Sequence, residues 1–162
     1  MRKNMSVPSH RRSQRITDLL LIPVSIATVI TGFGLHVAGH DSPHEVWEQW
    51  AAAHVVATIL FLVLGILHIR HHLAWYKSLF SKGLGKKSRI TLLLTIAFLL
   101  LVITGIVLIV AIDGPNSTMG HLHYIFGLLL TFLSFWHIAK RWKALVRKGK
   151  STSTVSSSRR PA

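Results

Sequence analysis

The chain has 162 residues, half of them hydrophobic, with 19 Lys plus Arg against 5 Asp plus Glu and a formal net charge of +14. That mixture fits neither a disordered basic tail nor an ordinary soluble domain. The absence of cysteine excludes disulfides, thiolate-ligated metals, iron–sulfur clusters and the covalent C-x-x-C-H attachment of a c-type haem.

The first segment, residues 1–16, is basic, with Arg2, Lys3, Arg11, Arg12 and Arg15. An apolar run follows, Leu19 to Ala38, long enough to span a bilayer core of about 30 Å as a helix. Its length and the lack of a small-residue cleavage site suggest a retained span rather than a signal peptide. Pro23 is expected early in this helix, where a missing donor costs least. A short acidic stretch with Asp41, Glu45 and Glu48 leads to a second span, Trp50 to Ile69. A basic connection with Arg70, Lys77, Lys82, Lys86, Lys87 and Arg89 leads to a third, Ile90 to Ile112, and a fourth runs from Leu122 to Ala139. Trp47, Trp50, Trp75, Tyr76, Tyr124, Trp136 and Trp142 fall near span ends, as interfacial aromatics do. Residues 143–162 read as a basic, Ser/Thr-rich tail.

No Lys or Arg lies in the loops after spans one and three, which hold acidic residues instead. The positive-inside rule then puts both termini in the cytoplasm. The expected fold is all-α, an integral membrane four-helix bundle over residues 17–142. The basic excess is first a topology signal and second an attraction to anionic lipid. Nucleic acid is not an expected partner, because the charges sit at membrane boundaries and no recognition motif interrupts the spans.

Spans one and three share a signature, Arg15-Ile16-Thr17 with Val29 to Gly32, then Arg89-Ile90-Thr91 with Val102 to Gly105. Spans two and four each carry two histidines fourteen positions apart, His54 with His68 and His123 with His137. The bundle therefore reads as two similar helical hairpins. Fourteen residues cover about four helical turns and about 21 Å of rise, so each pair lies on one helix face with one imidazole near each membrane surface. His54 matches His123 in depth, and His68 matches His137. The stripes between them read His54, Thr58, Phe61, Gly65, His68 and His123, Gly127, Leu130, Ser134, His137.

Thr58, Gly65, Gly127 and Ser134 would clear space for a flat macrocycle beside each histidine, with Phe61 and Leu130 filling the space between two layers. Gly32, Gly34 and Gly105 serve either the same purpose or close helix approach. Two imidazoles with no carboxylate inside the membrane suit bis-histidine haem iron, whereas zinc needs three or four ligands and a di-iron bundle several glutamates. Thr58 and Ser134 are candidates to bond the imidazoles. His36 and His121 are rival outer ligands. His71, His72, Arg70, Lys140 and Arg141 are placed to meet the propionates of an inner haem.

Four short spans, the paired histidines, the H-x-x-x-G of His123 to Gly127 and the TG ends of spans one and three resemble the small di-haem membrane cytochromes of the cytochrome b type. The nearest resemblance is to the bacterial flavinylation-associated cytochromes, which are similar to cytochrome b561 in general plan. It covers about Arg15 to Trp142; Thr58 departs from the glycine an exact repeat would have. The resemblance implies two non-covalent haem b groups, on His54 with His123 and His68 with His137. It further implies a bacterial inner-membrane location and electron transfer between a quinol or cytoplasmic donor and an extracytoplasmic flavoprotein acceptor. Two rivals stand beside it: an oxidoreductase acting directly on quinol or ferric ion, and a cofactor-free membrane anchor whose histidines serve helix packing.

Overall fold

The computed structural model describes residues 7–82, 88–111 and 117–150, with side chains at 12–78, 89–111 and 117–141. Among the described residues there are five helices: α1 (Val7–Asp41), α2 (His44–His71), α3 (Leu73–Lys82), α4 (Ser88–Ala111) and α5 (Thr118–Lys150). Four of them, all but α3, contain a stretch long and apolar enough to cross a membrane. The protein is thus an all-α, multi-pass membrane protein.

The helices outrun the apolar stretches. Lipid demands internally bonded backbone, and nothing in a polar flank forces the helix to stop at the bilayer surface. α1 starts within the basic segment, so Pro23 lies deep inside a 35-residue helix and not near its start. Pro23 removes the donor that would reach the Leu19 carbonyl, and Ser25 Oγ donates to Ile22 O at 2.7 Å in the same turn. At the other end, residues 143–150 of the basic tail continue α5, while the Ser/Thr-rich remainder lies outside the described residues, as do Lys86, Lys87, Ile112 and Asp113.

Only Ser42 and Pro43 separate α1 from α2. Pro43 has φ −55° and ψ 148°, an extended conformation that stops one helix and starts the next. Its carbonyl accepts from Val46 N at 3.0 Å. The ten-residue α3 turns the central basic connection into a helix that sequence patterning does not announce. It is tied to α4 by Tyr76, whose hydroxyl lies 2.7 Å from Thr95 Oγ1. Thr95 spends its own proton on Thr91 O, so the tyrosine is the donor.

α1 packs along α2, and α4 along α5, as two hairpins. They meet through α1 and α5, where His36 stacks on Tyr124 at 4.0 Å, and through α2 and α4, where Phe61 meets Phe98 edge-on at 5.9 Å. This order, α1–α2–α4–α5 around a ring, puts α2 and α5 on a diagonal, facing each other across the bundle axis.

Among the described residues no large side chain is fully buried, and the buried apolar set is small: Ala38, Ala97 and Leu130. Ile30, Phe33, Val56, Ile59, Ile103, Ile106, Phe132 and Phe135 are instead exposed around the outside. An apolar sheath of that extent suits hydrocarbon and not water.

Close approach within the first hairpin depends on Gly34, where an added Cβ would lie 2.5 Å from ring atoms of Trp50. Gly34→Ala is therefore expected to push Trp50 aside and destabilise the protein by about 1–3 kcal/mol. Thermal unfolding in detergent measures this, and adding Trp50→Leu to the same chain should recover part of the loss.

Candidate functional site

With the end of the bundle at the α1–α2 turn labelled outer and the end at α3 labelled inner, the outer layer is built from the TG pairs of α1 and α4. Thr31 Oγ1 lies 3.1 Å from His54 Nδ1, and Thr104 Oγ1 lies 2.9 Å from His123 Nδ1. Each hydroxyl has one proton, and each gives it to its own helix: Thr31 to Ala27 O at 2.8 Å, Thr104 to Leu100 O at 2.9 Å. The threonine oxygen must then accept from the imidazole. Both histidines therefore carry their proton on Nδ1, which leaves the Nε2 lone pair free on the ring edge away from the threonine.

The glycine that follows each threonine makes room for the ring. A Cβ on Gly32 would come within 3.0 Å of His54 Cε1, and one on Gly105 within 3.2 Å of His123 Cε1. A VITG sequence thus holds and seats one histidine in each hairpin. Of the two uses open to these glycines, Gly32 and Gly105 serve the imidazoles, while Gly34 serves helix approach.

His54 and His123 face each other with ring centroids 6.3 Å apart and planes at 85°. A first-row metal ion sits about 2 Å from an imidazole nitrogen, which lies about 1 Å from its ring centre, so two imidazoles sharing one ion have centroids about 6 Å apart. The observed spacing matches that arrangement. It is too wide for a hydrogen bond between the rings.

The other outer histidines are engaged differently. His36 stacks on Tyr124 and lies edge-on to His40 at 4.8 Å. His121 is exposed at the start of α5. Neither is brought opposite another imidazole in the way His54 and His123 are.

The inner layer differs in one residue of consequence. His68 Nδ1 lies 2.8 Å from Asp18 Oδ1, across the α1–α2 interface, with both side chains partly exposed. Asp18, His68 and His72 bring one ligand atom each to within 4.8 Å of one another. His137 of α5 lies within electrostatic reach of Arg141, His68, His72 and Asp18. Asp18 escapes a reading of apolar runs because a span drawn from Leu19 leaves it one residue outside. The signal that could have found it is its position as the acidic residue nearest the inner end of a spanning helix.

The small residues of the histidine stripes divide. Thr58 Oγ1 donates to His54 O and Val55 O, both at 2.9 Å, so it bonds its own helix and no imidazole. Ser134 is half-buried and, among the described residues, makes no hydrogen bond to a histidine. The threonines that do bond the imidazoles come from the neighbouring helices. Gly65 is buried against Phe98, which an added Cβ would meet at 3.0 Å, so part of its clearance is taken by that ring. Gly127 is looser, with Leu101 at 3.8 Å from its would-be Cβ. Between the layers, Leu130 is buried and Phe61 packs on Phe98, as bulky spacers would.

Comparison of the chain with protein-family models, curated proteins and solved structures gave no match.

Removing either threonine hydroxyl would take away one acceptor of an imidazole N–H in an apolar setting and leave it only the backbone of Thr28 (for His54) or Leu101 (for His123). Thr104→Val is expected to cost about 1–3 kcal/mol of stability, Thr104→Ser much less. Unfolding of the purified variants in detergent measures the difference.

Proposed function

We propose that the protein is a membrane di-haem b-type cytochrome that carries electrons across the bilayer. The observation that carries this reading is the outer pair: two imidazoles from diagonal helices, each fixed by a threonine with its Nε2 free, with ring centroids 6.3 Å apart. His54 and His123 would hold an outer haem, His68 and His137 an inner one. Bound haem iron would supply reversible one-electron transfer.

The chain's own residues account for the rest. Thr31 and Thr104 orient the outer ligands, Gly32 and Gly105 seat them, and Leu130 with Phe61 separates the layers. Arg70, Arg141 and Lys140 supply positive charge at the inner end for propionates. Lys140 Nζ sits 4.9 Å from the Trp136 ring centre, which anchors it at that level.

By the positive-inside rule the inner layer would lie on the cytoplasmic side, and the resemblance to bacterial cytochromes would make the membrane a bacterial inner membrane. The donor would then be a quinol or a cytoplasmic reductant, and the acceptor an extracytoplasmic flavoprotein. This assignment rests on the resemblance to the flavinylation-associated cytochromes and on the charge asymmetry of the loops.

A second reading has one observation in its favour. Asp18, His68 and His72 form a two-histidine, one-carboxylate set of the kind that chelates divalent transition metals. In that case the inner end would bind an ion instead of haem.

Haem content per polypeptide and the oxidised and reduced spectra of the detergent-purified chain separate these readings. About two low-spin b haems are expected, falling to about one in His54→Ala or His123→Ala and likewise in His68→Ala or His137→Ala. One haem with one stoichiometric non-haem metal would favour the second reading, and a colourless, folded protein would reject haem altogether.

Orientation is checked separately. Because the chain has no cysteine, Ser42→Cys and Lys77→Cys each introduce a single thiol. A membrane-impermeant maleimide added to spheroplasts should label the first, and the second only after permeabilisation.

A further inference from the structure

The two layers differ in what accepts the proton of the imidazole. In the outer layer both acceptors are neutral hydroxyls, Thr31 and Thr104. In the inner layer His68 Nδ1 meets a carboxylate, Asp18 Oδ1, at 2.8 Å. The second hairpin has no counterpart: the Arg-Ile-Thr that precedes Asp18 recurs as Arg89-Ile90-Thr91, but the next residue is Leu92, and neither α4 nor α5 contains an Asp or Glu.

A carboxylate accepting from the N–H of a metal-bound imidazole pulls the ring toward imidazolate and makes it a more basic ligand. A more basic, more anionic ligand favours ferric over ferrous iron. A neutral hydroxyl, whose own proton is held by a backbone carbonyl, does this much less.

We propose that Asp18 is a positioning and tuning residue which, acting through His68, holds the reduction potential of the inner haem site below that of the outer one. This rests on the di-haem reading of the same histidines. One electron moving from the inner to the outer layer is then downhill: the inner iron goes from ferrous to ferric, the outer from ferric to ferrous, and no proton is bound or released. The structure thereby assigns a preferred direction, away from the basic end of the bundle. Asp18 also faces His72, whereas at His137 the nearer influence is Arg141, of opposite charge, so the action of Asp18 runs through its bond to His68.

The test is a potentiometric titration of haem absorbance on the full chain in detergent. The single-haem variants His123→Ala, keeping the inner site, and His68→Ala, keeping the outer, assign the steps. In the His123→Ala chain, Asp18→Asn is expected to shift the ferric-to-ferrous equilibrium about tenfold toward ferrous, a rise of about 59 mV for a one-electron couple. Asp18→Glu should keep the low midpoint. In the His68→Ala chain Asp18→Asn should leave the outer midpoint where it was. The low-spin ferric electron paramagnetic resonance signal of the inner site should move with Asp18→Asn and return with Asp18→Glu. If Asp18→Asn does not retain haem, Asp18→Ser against Asp18→Glu makes the same comparison. An inner midpoint that ignores the carboxylate at full haem load, or that lies above the outer midpoint in the unaltered chain, overturns the proposal and leaves the di-haem reading standing. An unaltered chain without haem overturns both.

Discussion

In hydrocarbon an imidazole N–H has no water to bond, and the protein gives His54, His123 and His68 an acceptor each. At the outer end that acceptor is a threonine whose own proton is already committed to the preceding helical turn. The consequences run outward from this one contact. It fixes the tautomer, aims the free nitrogen away from the hairpin, and requires a glycine one residue on so that the ring can lie against the helix. Its occurrence in both hairpins, on the same VITG sequence, gives the internal repeat a physical purpose.

The rest of the bundle is held in the manner of a membrane protein. The large apolar side chains face outward, and few are buried between the helices. Within each hairpin, small residues and back-bonded hydroxyls permit close contact: Thr28 Oγ1 reaches Ala57 O at 3.3 Å, and Gln14 Nε2 reaches His71 O at 3.0 Å near the inner end. Between the hairpins, contact is concentrated in a few rings, His36 on Tyr124 and Phe61 on Phe98, with His54 opposite His123. His54 and His123 meet where the two hairpins come together.

The two ends of the bundle are chemically unlike. The outer end carries hydroxyl acceptors, stacked aromatic and imidazole rings, and acidic loop residues without Lys or Arg. The inner end carries a carboxylate paired to a histidine and a surround of Arg and Lys. Under the proposed di-haem reading, a pseudo-symmetric scaffold with unlike ends would give electron transfer a direction without moving parts, because local hydrogen bonding would set the two sites apart.

Four spans, their hairpin pairing and the equal depth of His54 and His123 were legible in the sequence, because hydropathy and a helical repeat of 3.6 residues are local properties of the chain. The two-residue turn at Ser42-Pro43, the helix over Leu73–Lys82 and the extension of α5 to Lys150 were not. Those depend on how far a helix continues beyond lipid, which apolar length does not report. The sequence by itself determined that His54 and His123 lie at matching depth and that TG recurs on the partner helices. Only the tertiary structure decided that Thr31 and Thr104, rather than Thr58, bond the outer imidazoles, and that Asp18 bonds His68 across fifty residues of chain. The reason is that a hydrogen bond between helices depends on their rotation and relative height. Spacing within one helix cannot specify either.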